Sequence, residues 1–160
     1  MQISDPIPAH ILPEAAGLWC AAFADRRAAR RARASHGIAA MRAGRVAGVA
    51  GLRDETGGFL AEGRSVVGLL YRAAPPTADL VIDGIVVRDR RLGVGRALVE
   101  AAEQAARTRG RGGLRAEVRL KNRGALAFYR QLGFHEETRG RFGWPWSGVV
   151  VVLRKPLGAP

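Results

Sequence analysis

Residues 80–98 read LVIDGIVVRDRRLGVGRAL: an apolar run, then arginines set around two glycines one residue apart. The run over 80–87 has the branched, apolar composition of a buried strand, and the strand is read as beginning near Ala78. A helical pattern follows. Val94, Ala97, Leu98, Ala101 and Ala105 fall on one face, while Arg96, Glu100, Glu103 and Arg107 point away, and Gly110 supplies a stop. The glycines therefore stand where a strand hands over to a helix. Free N–H groups at a helix start attract an anion, and glycine lets phosphate oxygens approach the backbone closely. The chain has no P-loop string, and the dinucleotide fingerprint fails at Leu98, where its third glycine should stand. Taken alone, G-x-G is equally a tight turn.

Downstream, LRAEVRL (114–120) alternates Leu114, Ala116, Val118 and Leu120 against Arg115, Glu117 and Arg119, the pattern of a strand with one polar face. NRGALAFYRQLGF (122–134) predicts a short helix that Asn122 caps and Gly133 ends, with Phe134 folding back. SGVVVVLRK (147–155) predicts a last strand. Strands and helices that alternate in this way require at least one parallel strand pair with a covering helix.

Upstream, a short extended piece leads to a helix from about Pro13, with Leu12, Ala16, Trp19 and Phe23 as its apolar stripe. ADRRAARRARASHG extends that reading as an alanine–arginine helix to His36–Gly37. GIAAMRAG is open between a short helix and a loop. RVAGVAGL (45–52) predicts a strand, RDETGG a turn, and GFLAE the returning hairpin partner. SVVGLLYRAAPP (65–76) is open between strand and helix, with Ser65 as a cap and the two prolines as a stop favouring a short helix.

The segment Arg90-Arg91-Leu92-Gly93-Val94-Gly95 resembles the R/Q-x-x-G-x-G/A signature of the GNAT family of N-acetyltransferases. A second block, VRLKNRGALAFYRQLGF (118–134), matches the family's strand–Asn–helix segment at Asn122, Ala125, Tyr129, Gly133 and Phe134. The likeness is firm over residues 78–156, and RVAGVAGLRDETGG resembles the family's second strand and hairpin. It implies one α/β (α+β) domain over residues 1–160. The sheet would be mixed and mostly antiparallel, with a splayed parallel strand pair and flanking helices: the acyl-CoA N-acyltransferase fold. It further implies acetyl-CoA as co-substrate, its pantetheine arm pairing with the backbone of Ile85, Val86 and Val87. The pyrophosphate would meet the N–H groups of Leu92, Gly93, Val94, Gly95 and Arg96, with Arg90 and the neighbouring Arg91. Asn122 would touch the arm or orient the acceptor, and Tyr129 would hydrogen-bond the sulfur. Most members carry glycine directly after the signature arginine, where this chain has Arg91, and the link from strand to arginine is shorter here.

Acetyl transfer needs a neutral amine, a stabilised oxyanion and a proton source for the thiolate. Tyr129 suits the last role, with helix packing as its alternative. Asp83 is the preferred general base over Glu117, which is expected to pair with Arg115 or Arg119; a water chain without a dedicated carboxylate stands beside them. Trp144 and Trp146 lie on a proline-held loop near the acceptor region, or simply pack there. The acids expected at the acceptor mouth are Asp54, Glu55, Glu62 and Asp79.

The net charge of +12 and the density of arginine (only Lys121 and Lys155 are lysine) raise a rival class, a small basic nucleic-acid-binding domain. No helix-turn-helix, aromatic RNP strand or zinc finger accompanies the charge, so nucleic acid is disfavoured. A member of the family that binds acyl-CoA without catalysis is the third reading. Cys20 alone excludes an internal disulfide, and three scattered histidines give no metal-ligand spacing. The start MQISDPIPAH has no signal-peptide pattern, and no apolar run reaches the roughly 20 residues of a membrane helix, so the expected setting is the cytoplasm, away from membranes. The acceptor amine, small-molecule or peptidic, is not legible. Many relatives dimerise, so a homodimer is compatible with the resemblance.

Overall fold

The computed structural model describes residues 1–62 and 69–158. A seven-stranded sheet runs in the order β1-β2-β3-β4-β5-β7-β6. Its strands are β1 (Gln2–Ser4), β2 (Gly37–Arg42), β3 (Arg45–Arg53), β4 (Leu80–Val87), β5 (Gly113–Arg119), β6 (His135–Gly140) and β7 (Val150–Pro156). Every neighbouring pair is antiparallel except β4–β5, the parallel pair that the helix between them requires. Helices α2 (Val94–Thr108) and α3 (Arg123–Gln131) cover one face, burying Leu80, Ile82, Ala116, Val118 and Val151. Helix α1 (Leu12–Phe23) covers the other face over β2 to β4 only, through Trp19, Ala16, Ala39 and Val49. Among the described residues, no α-helix lies on the half of that face over β5 and β7.

Several expectations are corrected. The alanine–arginine stretch is not a continuation of α1. The chain turns extended at Ala24, Asp25 accepts a hydrogen bond from the Arg27 N–H (2.8 Å), and only 3₁₀ turns at Arg26–Arg31 and Ala34–His36 follow. A local Asp side chain competes with helix propagation in this way. GIAAMR is a strand, joined to β3 by a two-residue turn whose residues, Ala43 (φ 49°) and Gly44 (φ 75°), are both left-handed. Alanine hides that hairpin from a reading that looks for Asn-Gly or Asp-Gly.

GFLAE does not return as a partner of β3. Asp54 and Gly57 close the turn, and Phe59 is drawn under α1, fully buried and edge-on to Trp19. HEETRG, which has no apolar alternation, forms the charged edge strand β6 against β7. Arg115 does not face water. It is 4% exposed, donating to Glu137 (2.9 Å) and the Pro75 carbonyl (2.5 Å). On α2 the buried line runs Val94, Leu98, Val99, Ala102, Ala105 and Ala106, leaving Ala97 and Ala101 half-buried at its border. The helix expected over 65–76 begins outside the described residues.

The turn after β3 is tied down by a buried polar cluster. Asp54 accepts from the Thr56 N–H (2.9 Å) and hydroxyl (2.6 Å) and meets His36 Nε2 at 3.2 Å. Burial pushes its carboxyl up, but the hydrogen bonds from Thr56 and His36 outweigh that and hold it at about 2. A carboxyl depressed from 3.8 to about 2 contributes about 2 kcal/mol, present above the higher value and lost as pH falls through the lower. Asp54→Asn should therefore cost about 2 kcal/mol in urea unfolding at neutral pH. The gap from wild type should close as the pH is lowered from about 5 to about 2.

Candidate active site

The site grows from one interruption in the sheet. Strands β4 and β5 pair only at Leu80–Leu114, Val81–Arg115 and Ile82–Ala116, although both run on. On its other side β4 stays paired with β3 as far as Val87. Between Gly51–Gly84 and Leu52–Ile82 the register slips by one, so Asp83 is an extra, bulged residue. A bulge bends its strand and re-aims a side chain. Beyond it, the edge of Gly84–Val87 that faces β5 has no strand partner among the described residues, and this stretch is half-buried. Ile85, Val86 and Val87, expected to pair with a pantetheine arm, lie along that open edge.

The strand then delivers the chain to α2. Arg88 anchors the exit: its N–H bonds the Ala47 carbonyl (2.9 Å), its Nε the Val46 carbonyl (2.7 Å), and its Nη2 lies 2.9 Å from Glu14. Gly93 (φ 74°) is the helix N-cap with no side chain closing it, and the first helical bond is from the Ala97 N–H to its carbonyl. The N–H groups of Val94, Gly95 and Arg96 are thus left without helical partners. Arg90, Arg91, Leu92 and Arg96 are exposed around them. A β-carbon on Gly93 would meet nothing within 4 Å, so the space before the helix is open. Gly95 differs, since a β-carbon there would press on the Phe128 ring at 3.3 Å.

On the uncovered face, beside the fork, lies a cavity of about 210 Å³. Asp83 and Glu117 line it, each the first residue past the last β4–β5 pair on its own strand. Arg53, at the end of β3, joins them: Nε is 2.7 Å from Asp83 and Nη2 is 3.3 Å from Glu117. Glu117 therefore pairs with Arg53, not with Arg115 or Arg119. Burial pushes the Asp83 carboxyl above its ordinary value, Arg53 pulls it back by charge and hydrogen bond, and Glu117 pushes it up again. The lining also carries the aromatic rings of Tyr71, Phe142 and Trp144 and the Arg119 guanidinium on β5, with Ile82, Gly143, Ser147 and Val150 between them. Arg72 and Gly143 exchange two backbone hydrogen bonds (2.8 and 2.6 Å), which fasten the Tyr71 segment to the tryptophan loop.

Tyr129 does not line this cavity. It sits on α3 under the opposite face of the sheet, 6% exposed, edge-on to Phe128 and Phe134. Burial holds its hydroxyl above the ordinary value, and the hydroxyl has no hydrogen-bond partner among the described residues. Asn122 caps α3 by accepting from the Ala125 N–H (3.1 Å), directly after β5. The acids expected at the mouth stand elsewhere: Asp54 in the His36 cluster, Glu55 on Arg111 and Asp79 on Arg154, and Glu62 does not line the cavity either. Arg53 and Tyr71 are the residues that sequence reasoning missed. Arg53 opens RDETGG and reads as turn composition, and nothing local marks its reach across two strands.

Residues 9–134 match the model of the acetyltransferase (GNAT) family, and the chain belongs to that family. No curated protein sequence matches it. Among solved structures, a crystal structure of an acetyltransferase is similar at TM-score 0.75 and 18% identity, covering 99% of this chain and 100% of that one. The ribosomal-protein-S18-alanine N-acetyltransferase of Escherichia coli is similar at 0.64 and 21%, covering 99% and 95%. The yncA acetyltransferase of Salmonella typhimurium, solved with its cofactor acetyl-CoA, is similar at 0.52 and 19%, covering 78% and 65%. At these identities the likeness speaks for the fold.

Arg91 occupies the place where the family's glycine usually stands, and its φ is 66°, in the left-handed region. A side chain there costs about 1–2 kcal/mol, of which glycine would return part against its greater unfolded-state freedom. Arg91→Gly should raise stability by about 0.5–1 kcal/mol in thermal or urea unfolding. An unchanged or lower midpoint would mean that the arginine side chain earns its place through contacts.

Proposed function

We propose that residues 1–160 act as one N-acetyltransferase domain in the cytoplasm. It would move the acetyl group of acetyl-CoA to a primary amine by direct attack through a tetrahedral intermediate. The observation that carries this reading is the fork itself. It has open backbone along Ile85–Val87 leading from an uncapped helix N-terminus, and a carboxylate pair at its apex. The N–H groups of Val94 to Arg96, with Arg90 beside them, suit a pyrophosphate in charge and reach. The unpaired edge of β4 offers the hydrogen bonds that the amides of an extended arm require.

The amine is delivered as an ammonium ion, and an amine of lysine-like pKa costs about 4 kcal/mol to deprotonate near neutral pH. Asp83, whose carboxyl burial raises above its ordinary value while Arg53 pulls it back, is the proton acceptor. Glu117 shares the charge. From the other face Tyr129 donates a hydrogen bond to the departing thiolate. Its raised pKa means that it keeps its proton and stabilises the developing charge without ionising. The residues are a poorer match to a nucleic-acid-binding role, because Arg53, Arg88, Arg109, Arg111, Arg115 and Arg154 are spent on acids inside the molecule.

The test of the whole reading is Tyr129→Phe, which keeps the ring and removes the proton. Turnover should fall by roughly 10²–10⁴ while calorimetric affinity for acetyl-CoA holds, and the shape of the pH–rate profile should not change. A variant turning over at the wild-type rate would reduce Tyr129 to packing. Arg53→Gln tests the base. Removing the positive charge lets burial and Glu117 raise the Asp83 carboxyl further, so the acidic limb of kcat/KM should move to higher pH. A limb that stays put would clear Asp83 of the role.

A further inference from the structure

We infer that the acceptor is a monocationic amine flanked by an apolar side chain, the chemistry shared by an apolar amino acid, its amide and a peptide beginning with one. This rests on acetyl transfer at the Asp83–Glu117 cavity. Two independent features of that cavity lead to it.

The first is charge. At the apex two carboxylates face one guanidinium, Arg53, which leaves one negative charge for one ammonium. Further out the sign reverses. Arg119, two residues along β5 from Glu117, is exposed and pairs with no acid among the described residues. Arg72 stands over the Phe142 ring at 6.0 Å. A polyamine or aminoglycoside would place its further cations against these arginines, whereas a single amine meets only the apex.

The second is the rim. Trp144 and Trp146 are stacked with their rings 5.3 Å apart and 2° from parallel, and Tyr71 packs edge-on to Trp144. Trp146 is 63% exposed and Tyr71 is 44% exposed. Proteins seldom leave such an apolar cluster in water without a partner for it. This one is continuous with the cavity through Trp144 and Tyr71, so its partner is the group attached to the acetylated amine.

The experiment compares phenylalaninamide, glycinamide and spermidine as acceptors with saturating acetyl-CoA. Phenylalaninamide should exceed both others in kcat/KM by roughly tenfold or more, as a hydrophobic contact of this size allows. Trp146→Ala, at an exposed position, should shrink the phenylalaninamide-to-glycinamide ratio to about threefold or less. Free phenylalanine and a peptide beginning with phenylalanine then tell which source of that chemistry is preferred. Preference for glycinamide or spermidine, or a ratio that survives Trp146→Ala, overturns the inference. Tryptophan fluorescence in the presence of CoA separates the two levels. Selective quenching by phenylalaninamide without turnover would uphold the acceptor class and sink acetyl transfer. Equal or absent quenching by the amides, with no turnover, would sink the acceptor class as well.

Discussion

The rest of the molecule depends on the parting of two parallel strands. In an ordinary parallel pair β4 and β5 would hydrogen-bond to their ends and the sheet would be closed. Here they separate after Ile82–Ala116, because a bulged Asp83 bends β4 while β3 holds its other edge through Val87. Unpaired backbone is costly in a protein interior. The fold accepts that cost along Gly84–Val87 only because the stretch is half-open and stands ready for an extended partner. The uncapped start of α2 follows directly, so the same departure from regularity leaves both an open strand edge and a helix end with free N–H groups.

The bulge also decides where the chemistry lies. It sends Asp83 to the face that α1 leaves bare, where Glu117 emerges from β5 at the matching position. Two carboxylates this close, partly removed from water, would repel each other and favour protonation. Arg53 makes the arrangement tenable by bonding both, and it does so from a third strand. β3, β4 and β5 are thereby clamped at the point where the sheet opens. A side chain that stabilises the fork and also pulls back the raised carboxyl of Asp83 links the fold to the pH behaviour expected of the reaction.

Much of this was legible in the sequence, and the unread remainder has physical causes. The strand over 80–87, the glycine junction, α2, α3 with its Asn122 cap, and the last strand all announce themselves through local periodicity and capping. What failed was either disguised by composition or settled at a distance. Alanine serves helix and strand alike, which hid β2 and blurred the buried line of α2. The polar edge strand β6 carries no pattern, because neither of its faces is deeply buried. Arg115 looked solvent-facing until Glu137 and the Pro75 carbonyl came to it from other segments. At the site, the residues of the glycine junction follow from a contiguous motif, whereas Arg53, Tyr71 and the tryptophan loop meet only through β-sheet order. Of the acids placed at the mouth on proximity in sequence, Asp54, Glu55 and Asp79 turned out to be bound by other partners, and Glu62 does not line the cavity.

That last outcome shows how little the overall charge says about the site. With a net charge of +12, the molecule as a whole repels the ammonium ion that its proposed reaction consumes. Mobile ions screen exposed charges beyond about 10 Å at ordinary ionic strength, so scattered surface arginines count for little at the fork. Asp83 and Glu117 act at contact range and in a partly dry setting, where each charge is felt far more strongly. Salt should therefore weaken non-specific attraction to polyanions well before it disturbs acceptor binding. On the proposed reading, Arg119 and Arg72 near the cavity would act as a filter on the number of positive charges an acceptor carries.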